Sequence, residues 1–254
     1  MPIRQWNGAS YDRISGPQVQ MGLAVLERLP LAGDELVLDA GCGSGRLTEE
    51  LLARLPRGRV IAVDESGSML AAAERRLQRP LAEGRVELRR GDLLELSLAE
   101  PADAVFSTAT FHWLADHELL FARLRGALAP GGRLVAQCGG EGNIAALRGR
   151  ARELLGRDPY APHFAGWQPP WHYAGAERTR ARLLAAGFAA ADCWLAHAPQ
   201  RPPQAREFLA EVVFGPHVQR LPAELREPFM DELMAAVGEP VVVDYVRLNI
   251  DAVA

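Results

Sequence analysis

The chain contains no lysine: all 28 of its basic residues are arginine. This excludes Schiff-base chemistry on a lysine and the lysine of a phosphate-binding P-loop. Beside so much alanine, leucine and glycine, the missing residue reads as a GC-rich coding bias. A basic excess is lacking too. Against 32 acidic residues the formal net charge is −4, so no surplus of cations meets a phosphate backbone, and general nucleic-acid binding is disfavoured. Cysteine is scarce. Cys42, Cys138 and Cys193 lie far apart without metal-ligand spacing, which points to no metal centre and fits a reducing compartment. No apolar run reaches the length of a membrane span, and the opening MPIRQWNGAS lacks the apolar core of a secretion signal. The expectation is a soluble cytoplasmic protein engaging neither membrane nor nucleic acid.

What is present is a chain of 254 residues, 48% hydrophobic and 24% charged, which is enough for a substantial core. An amphipathic helix is expected over 18–29. From 35 to 140, apolar runs alternate with helical periodicity. ELVLDAG, RVIAVDES, RVELRRGD, ADAVFSTAT and RLVAQCGG read as strands. RLTEELLARL, SMLAAAERRLQR and HELLFARLRGAL read as helices, the last stopped by APGG. Such alternation predicts an α/β fold with a parallel sheet and helices on both faces. RVELRRGD is the most alternating strand and is expected nearer an edge.

After Gly140 the rhythm changes. A helix NIAALRGRARELLG precedes the irregular, aromatic RDPYAPHFAGWQPPWHY. A helix AERTRARLLAAG, a strand FAAADCWLAHAP, helices near 204–213 and 223–237 and a closing strand PVVVDYVRLNIDAVA follow.

The stretch VLDAGCGSG places Gly41, Gly43 and Gly45 between a strand and a helix. Glycine permits a sharp turn and close approach of a ligand to the main chain. The next strand ends in Asp64, at the distance expected of an acid that grips ribose hydroxyls; the alternative is a helix N-cap. The glycine spacing is G-x-G-x-G, preceded by Asp39, and not the G-x-G-x-x-G of dinucleotide sites. An acid here repels a pyrophosphate but suits a cationic amino-acid end. The pattern points to S-adenosylmethionine rather than a nicotinamide cofactor.

VLDAGCGSGRLTEELLARLPRGRVIAVDESGSMLAAAERRL, GDLLEL and LAPGGRLVA resemble the class I S-adenosylmethionine-dependent methyltransferases over residues 33–140. The resemblance implies a Rossmann-like, doubly wound, mostly parallel seven-stranded sheet with a helical and aromatic cap after strand 5. It implies one domain over 1–254: a cap and helix at 1–32, the cofactor core at 33–140, a substrate-side cap at 141–238 and a terminal strand at 239–254. Asp39 and Gly41 would neighbour the methionine portion, with Gly43 and Gly45 shaping the loop. Asp64 would hold the ribose. Glu65 and Met69 would border the adenine, Asp92 would bond its amino group, and Leu93 would lie beside the ring. Simpler alternatives are a turn for Asp92 and helix core for Met69.

QWNGASY, FHWLADHELLFARLRGALAPGG and YVRLNIDAVA are similar to the trans-aconitate methyltransferase group. In that group an N-terminal Trp and Tyr close over the cofactor, which implies Trp6 and Tyr11 here. The group methylates a carboxylate of a small acid. Of the arginines outside the cofactor half, Arg247 is the leading substrate ligand, since it lies in the resembling terminal strand. STATFHWLADH follows the fourth strand. Ser107 and Thr108 would flank the cofactor, while His112 and Trp113 are candidates for the acceptor pocket with Trp167, Trp171 and Tyr173. His112 is expected to position the acceptor, with base catalysis as the alternative. Two further readings stay open: an oxygen or carbon methyltransferase of a larger, more apolar or carrier-bound acceptor, and a cofactor-binding protein without turnover. The absence of an NPP(Y/F)-like motif at STATFHW disfavours amino-methylation of nucleic acid.

Overall fold

The computed structural model describes residues 16–254. Helix α1 (Gly16–Leu26) leads into β1 (Leu36–Ala40), α2 (Arg46–Ala53), β2 (Arg59–Asp64), α3 (Gly67–Arg76), α4 (Gln78–Ala82) and β3 (Val86–Arg90). The alternating half closes with β4 (Ala102–Thr108), α5 (His117–Ala127) and β5 (Leu128–Gly139). Then come α6 (Ala145–Leu155), α7 (Ala161–Phe164), α8 (Ala176–Ala185) and β6 (Ala190–His197). The last elements are α9 (Ala205–Phe208), α10 (Gly215–Arg220), α11 (Ala223–Val237) and β7 (Val246–Val253).

The seven strands form one sheet in the order β3-β2-β1-β4-β5-β7-β6. β1 to β5 pair in parallel, and β7 runs antiparallel to both β5 and β6. This is the expected Rossmann-like sheet, with β3 at an edge as its alternation predicts. The chain moves outward from β1 to β3 and returns to β4 beside β1, so a crevice opens at the strand C-terminal ends. Because β7 is antiparallel, its N-terminal end lies at that same rim.

Successive residues of β1 serve opposite faces. Leu36, Leu38 and Ala40 join Leu120, Phe121 and Leu124 of α5 and Leu183 of α8. Val37 packs with Val25 and Leu26 of α1, Leu51 and Leu52 of α2, and Ala73 of α3. Strands covered on both faces read as continuous apolar runs, which is why VLDA and VIAV lack alternation. A third cluster lies in the cap, where Leu147, Phe208, Phe214, Phe229 and Val243 are buried together. Each buried Leu or Phe contributes about 1.5–3 kcal/mol, while exposed ion pairs give about 0–1 kcal/mol. The three apolar clusters therefore carry the fold.

Two local expectations differ from the structure, and the short helix α10 was not expected. APGG lies within β5 and does not precede it, because Gly131 takes a left-handed φ of 78° and the pairing with β4 shifts register between Ala102 and Ala104. The helix expected over 204–213 is a short α9 followed by a π-turn over Leu209–Val213. α10 is six residues long, too short to register as a helical period.

Candidate active site

The loop after β1 is built by left-handed glycines. Gly41 has φ 85°, and a Cβ there would stand 2.1 Å from Thr110 Oγ1. Gly43 has φ 55°, and among the described residues other than its chain neighbours no heavy atom lies within 4 Å of where a Cβ would stand. The first glycine lets two loops close together, and the second leaves open space above the main chain. The N–H groups of Gly41 and Cys42 both donate to Val63 O, at 2.8 and 3.0 Å, tying the loop to the end of β2.

Asp64 at that end accepts from Gly43 N–H (2.9 Å) through Oδ2 and from Ser66 N–H (2.8 Å) through Oδ1. The N-cap of α3 is Ser66, whose Oγ accepts from Met69 N–H, so Asp64 does not serve as that cap. Burial raises the Asp64 carboxyl above the usual range, against these two donors. Asp39 is only 2% exposed and accepts from Thr48 Oγ1 at 2.6 Å. Burial pushes its carboxyl up to about 7, the Thr48 bond opposes this, and Asp64 adds to it. Glu65 is exposed at the rim and Met69 is buried in α3. Its own desolvation, with Asp92 and Asp64 nearby, raises the Glu65 carboxyl. Asp92 N-caps a 3-10 turn by accepting from Leu94 N–H at 2.8 Å, and Leu93 is buried beneath. This rim therefore collects four carboxyl groups around an open glycine loop, a setting that favours a cation.

The exit of β4 links this cradle to a second feature. Ser107 Oγ donates to Ala40 O at 2.6 Å, fastening β4 to the end of β1, while Thr108 is half-buried. Ala109 adopts φ 54° and Thr110 covers Gly41. Phe111–Trp113 then form a 3-10 turn. Phe111 is 1% exposed in the sheet core, edge-on to Phe121. His117 Nε2 donates to Phe111 O at 3.0 Å, which fixes the turn. His112 and Trp113 face a cavity of about 50 Å³.

That cavity draws on six separate stretches: Gln18; Ala109, His112 and Trp113; Asn143 and Ile144; Trp171 and Tyr173; Val212 and Val213; and Tyr245 and Arg247. The ring of His112 lies 5.1 Å from Trp113 and 5.7 Å from Tyr173. Gly139 N–H donates to His112 Nδ1 at 3.3 Å, so the neutral ring carries its proton on Nε2. Tyr173 stacks on Trp171 at 5.9 Å, and Arg148 lies over both rings. Ile144, like Ala109, has a left-handed backbone, with φ 49°. Both positive-φ residues other than glycine among the described residues line this cavity. Backbone strain of this kind gathers at functional sites.

Arg247 is 5% exposed and enters the cavity from the start of β7. Its Nε donates to Gln137 Oε1 at 3.3 Å, and its guanidinium lies 5.4 Å from the Tyr245 ring. No carboxylate among the described residues pairs with it. A buried charge costs several kcal/mol unless it is matched, so an unmatched one in a cavity wall calls for an anion.

The structure thus brings Asp39, Gly41, Gly43, Asp64, Glu65 and Asp92 together at the loop after β1, while Gly45 packs against Ala73 and Leu77, and Met69 and Leu93 are buried. It gathers His112, Trp113, Trp171, Tyr173 and Arg247 around the cavity. Trp167 lies elsewhere: it packs 4.8 Å from His217 and 5.3 Å from Phe164, with Arg220 over its ring, and does not line the cavity. Trp6 and Tyr11 lie outside the described residues. Gln18, Asn143, Ile144 and Tyr245 were not expected at the site. They come from three separate places in the sequence, and only Asn143 and Ile144, shortly after β5, sit where strand-end residues would be sought. Among the described residues no group of three His, Cys, Asp or Glu side chains is disposed to hold a metal, and no helix is long and apolar enough to cross a membrane.

Comparison with known proteins adds four findings. A family model described as a methyltransferase domain matches residues 37–132. A trans-aconitate 2-methyltransferase of Methylobacterium nodulans is 34% identical over 194 residues, covering 76% of this chain and 68% of that one. One of Variovorax paradoxus is 33% identical over 260 residues, covering 96% and 93%. Among solved structures, phosphoethanolamine N-methyltransferase 2 of Haemonchus contortus, in complex with phosphomonomethylethanolamine and S-adenosylhomocysteine, aligns with a TM-score of 0.62. That match is 20% identical and covers 97% of this chain but 57% of the other, so it speaks to the fold alone.

Proposed function

The chain belongs to the class I S-adenosylmethionine-dependent methyltransferase family, and we propose that it methylates a carboxylate oxygen of a small-molecule acid. It is a methyltransferase and its cofactor is S-adenosylmethionine. The cradle fits that cofactor on its own chemistry. Asp64 has the residue type to accept from a ribose diol, and the open space at Gly43 admits a ligand to the main chain. The buried Asp39 carboxyl would regain its charge beside the ammonium of the methionine end. Glu65, Met69, Asp92 and Leu93 would border the adenine, with the backbone of Ser107 and Thr108 alongside.

When bound, S-adenosylmethionine supplies an electrophilic methyl carbon on a positively charged sulfur. The task left to the protein is to hold an acceptor oxygen in line with it and keep water away. Arg247 would take the carboxylate through its guanidinium fork, and His112 would donate from Nε2. A carboxylate has a pKa near 4 and is already a nucleophile at neutral pH, so no base is needed. With a carboxylate so held, the transfer would need no proton to move, and the residues of the cavity would only bind and orient the oxygen. Positioning of this kind can supply up to about 7–11 kcal/mol. Trp113, Trp171 and Tyr173 would wall the body of the acid.

The observation that carries this reading is the buried Arg247 without a carboxylate partner, in the same cavity as a histidine whose Nδ1 lone pair is occupied. The names of the relatives agree with a carboxylate acceptor. The test is a screen for S-adenosylhomocysteine release over aconitate-like acids, fatty and carrier-bound acids, and phenols. Turnover confined to acids supports the reading. Turnover only on neutral acceptors rejects it and favours the alternative with His112 as a base.

A further inference from the structure

We propose that Gln137 is a positioning residue for Arg247, and that Arg28 sets its orientation through Asn249. The inference rests on the reading of Arg247 as the carboxylate ligand. The β5–β7 register pairs Gln137 with Asn249 and Gly139 with Arg247, so Gln137, Asn249 and Arg247 share one face of the sheet. Arg28, just beyond α1, reaches across this face. Its Nη1 donates to Asn249 Oδ1 at 2.8 Å, its Nη2 to Ala136 O at 3.1 Å and its Nε to Asp251 Oδ1 at 3.1 Å.

A guanidinium only donates, so the Asn249 atom that Arg28 meets is the amide oxygen. Asn249 Nδ2 consequently turns to Arg247 O, at 3.4 Å. Gln137 Nε2 adds a second donor to Asn249 Oδ1, at 2.8 Å. That commits the Gln137 nitrogen, and its oxygen faces the other way, where it accepts from Arg247 Nε. Two amides are thus oriented in series between two donor-only arginines.

The two ends differ in charge. Arg28 is paired with Asp251, whereas Arg247 meets a neutral amide. Gln137 takes up Nε, fixes the plane of the guanidinium and leaves the charge and both Nη nitrogens available to an anion. A glutamate at 137 would keep the shape but neutralise the arginine.

The test combines a nitrogen-15 NMR readout of the Arg247 Nε–H resonance, assigned by its loss in Arg247→Met, with kinetics on the acid that supports turnover, trans-aconitate first. Gln137→Met should shift the resonance. Arg28→Met should shift it too, without touching Arg247. Gln137→Glu should raise the acceptor KM by about tenfold or more, with S-adenosylhomocysteine affinity held within about twofold. A resonance unmoved in both Met variants overturns the relay. An unchanged KM in Gln137→Glu overturns the charge argument. If the wild-type protein methylates only neutral acceptors, the carboxylate reading fails, and the resonance still decides the relay.

Discussion

The main-chain N–H of Gly139 donates to Nδ1 of His112 across 3.3 Å. A base must offer a lone pair to the acceptor, and here that lone pair is held by the backbone while the other nitrogen bears the proton. His112 is therefore a donor. With a carboxylic acid as acceptor, kcat/KM should stay level between about pH 6 and 8, where an ordinary imidazole titrates. An ascending limb there, abolished in His112→Gln, would restore the base.

Removing the guanidinium should weaken acceptor recognition and spare the cofactor. Arg247→Ala is expected to lower kcat/KM by about 2–3 kcal/mol, or about 30–150-fold. Arg247→Lys should recover only part, since an ammonium lacks the planar fork. Calorimetry with S-adenosylhomocysteine should give the same affinity in all three proteins, and a parallel loss of that affinity would count against the assignment.

Asp64 holds two N–H donors at once. Asp64→Ala should cost about tenfold or more in S-adenosylhomocysteine affinity, because the loop loses its tether and, on the proposed role, the ribose loses its acceptor. Isothermal titration reads this directly, and unchanged affinity would contradict the ribose role.

Burial raises the Asp39 carboxyl to about 7, and that of Asp64 moves upward too. The unfolded chain titrates such groups near about 3.9. Between those values the folded chain binds the proton more tightly, so the stability supplied by these groups declines as pH rises through the window. Asp39→Asn should flatten the dependence of melting temperature on pH from about 4.5 to 7. A cation beside Asp39 restores its charge, so S-adenosylmethionine binding near about pH 6.5 should release part of a proton. Titrations in two buffers of different ionisation enthalpy would detect it, and buffer-independent heats would refute it.

Two backbone substitutions should differ in their effect on stability. Gly41→Ala places a methyl against Thr110 at a left-handed φ and should lower stability by about 2 kcal/mol or more. Ala109→Gly relieves a left-handed alanine and should be neutral or stabilising by up to about 1 kcal/mol. Chemical denaturation of both variants provides the check.

The cofactor half was readable because its elements obey local rules. Buried parallel strands give apolar runs, and the turn between β1 and α2 demands glycine wherever φ is positive. Asp39 and Asp64 stand at fixed offsets from that turn. The cavity beside His112 and Arg247 obeys no such rule. Gln18 and Tyr245 meet through a hydrogen bond spanning most of the chain, and Ile144 reveals its strain only in three dimensions. The aromatic segment announced a wall without saying which rings face it: Trp171 and Tyr173 do, while Trp167 turns to His217. His112 could be named from its place after β4, but its tautomer depends on an amide 27 residues away.

The insertion of β7 between β5 and β6 bears on how the molecule is made. Translation delivers the strands in order, yet among the described residues β6 pairs only with β7, which leaves the ribosome after it. Residues up to β5 can pair with one another while synthesis continues. β6 must wait, and with it the cavity wall, because the same late strand brings Arg247. A nascent chain could thus assemble the glycine loop and its carboxyl groups first and bring in Arg247 only when β7 inserts between β5 and β6.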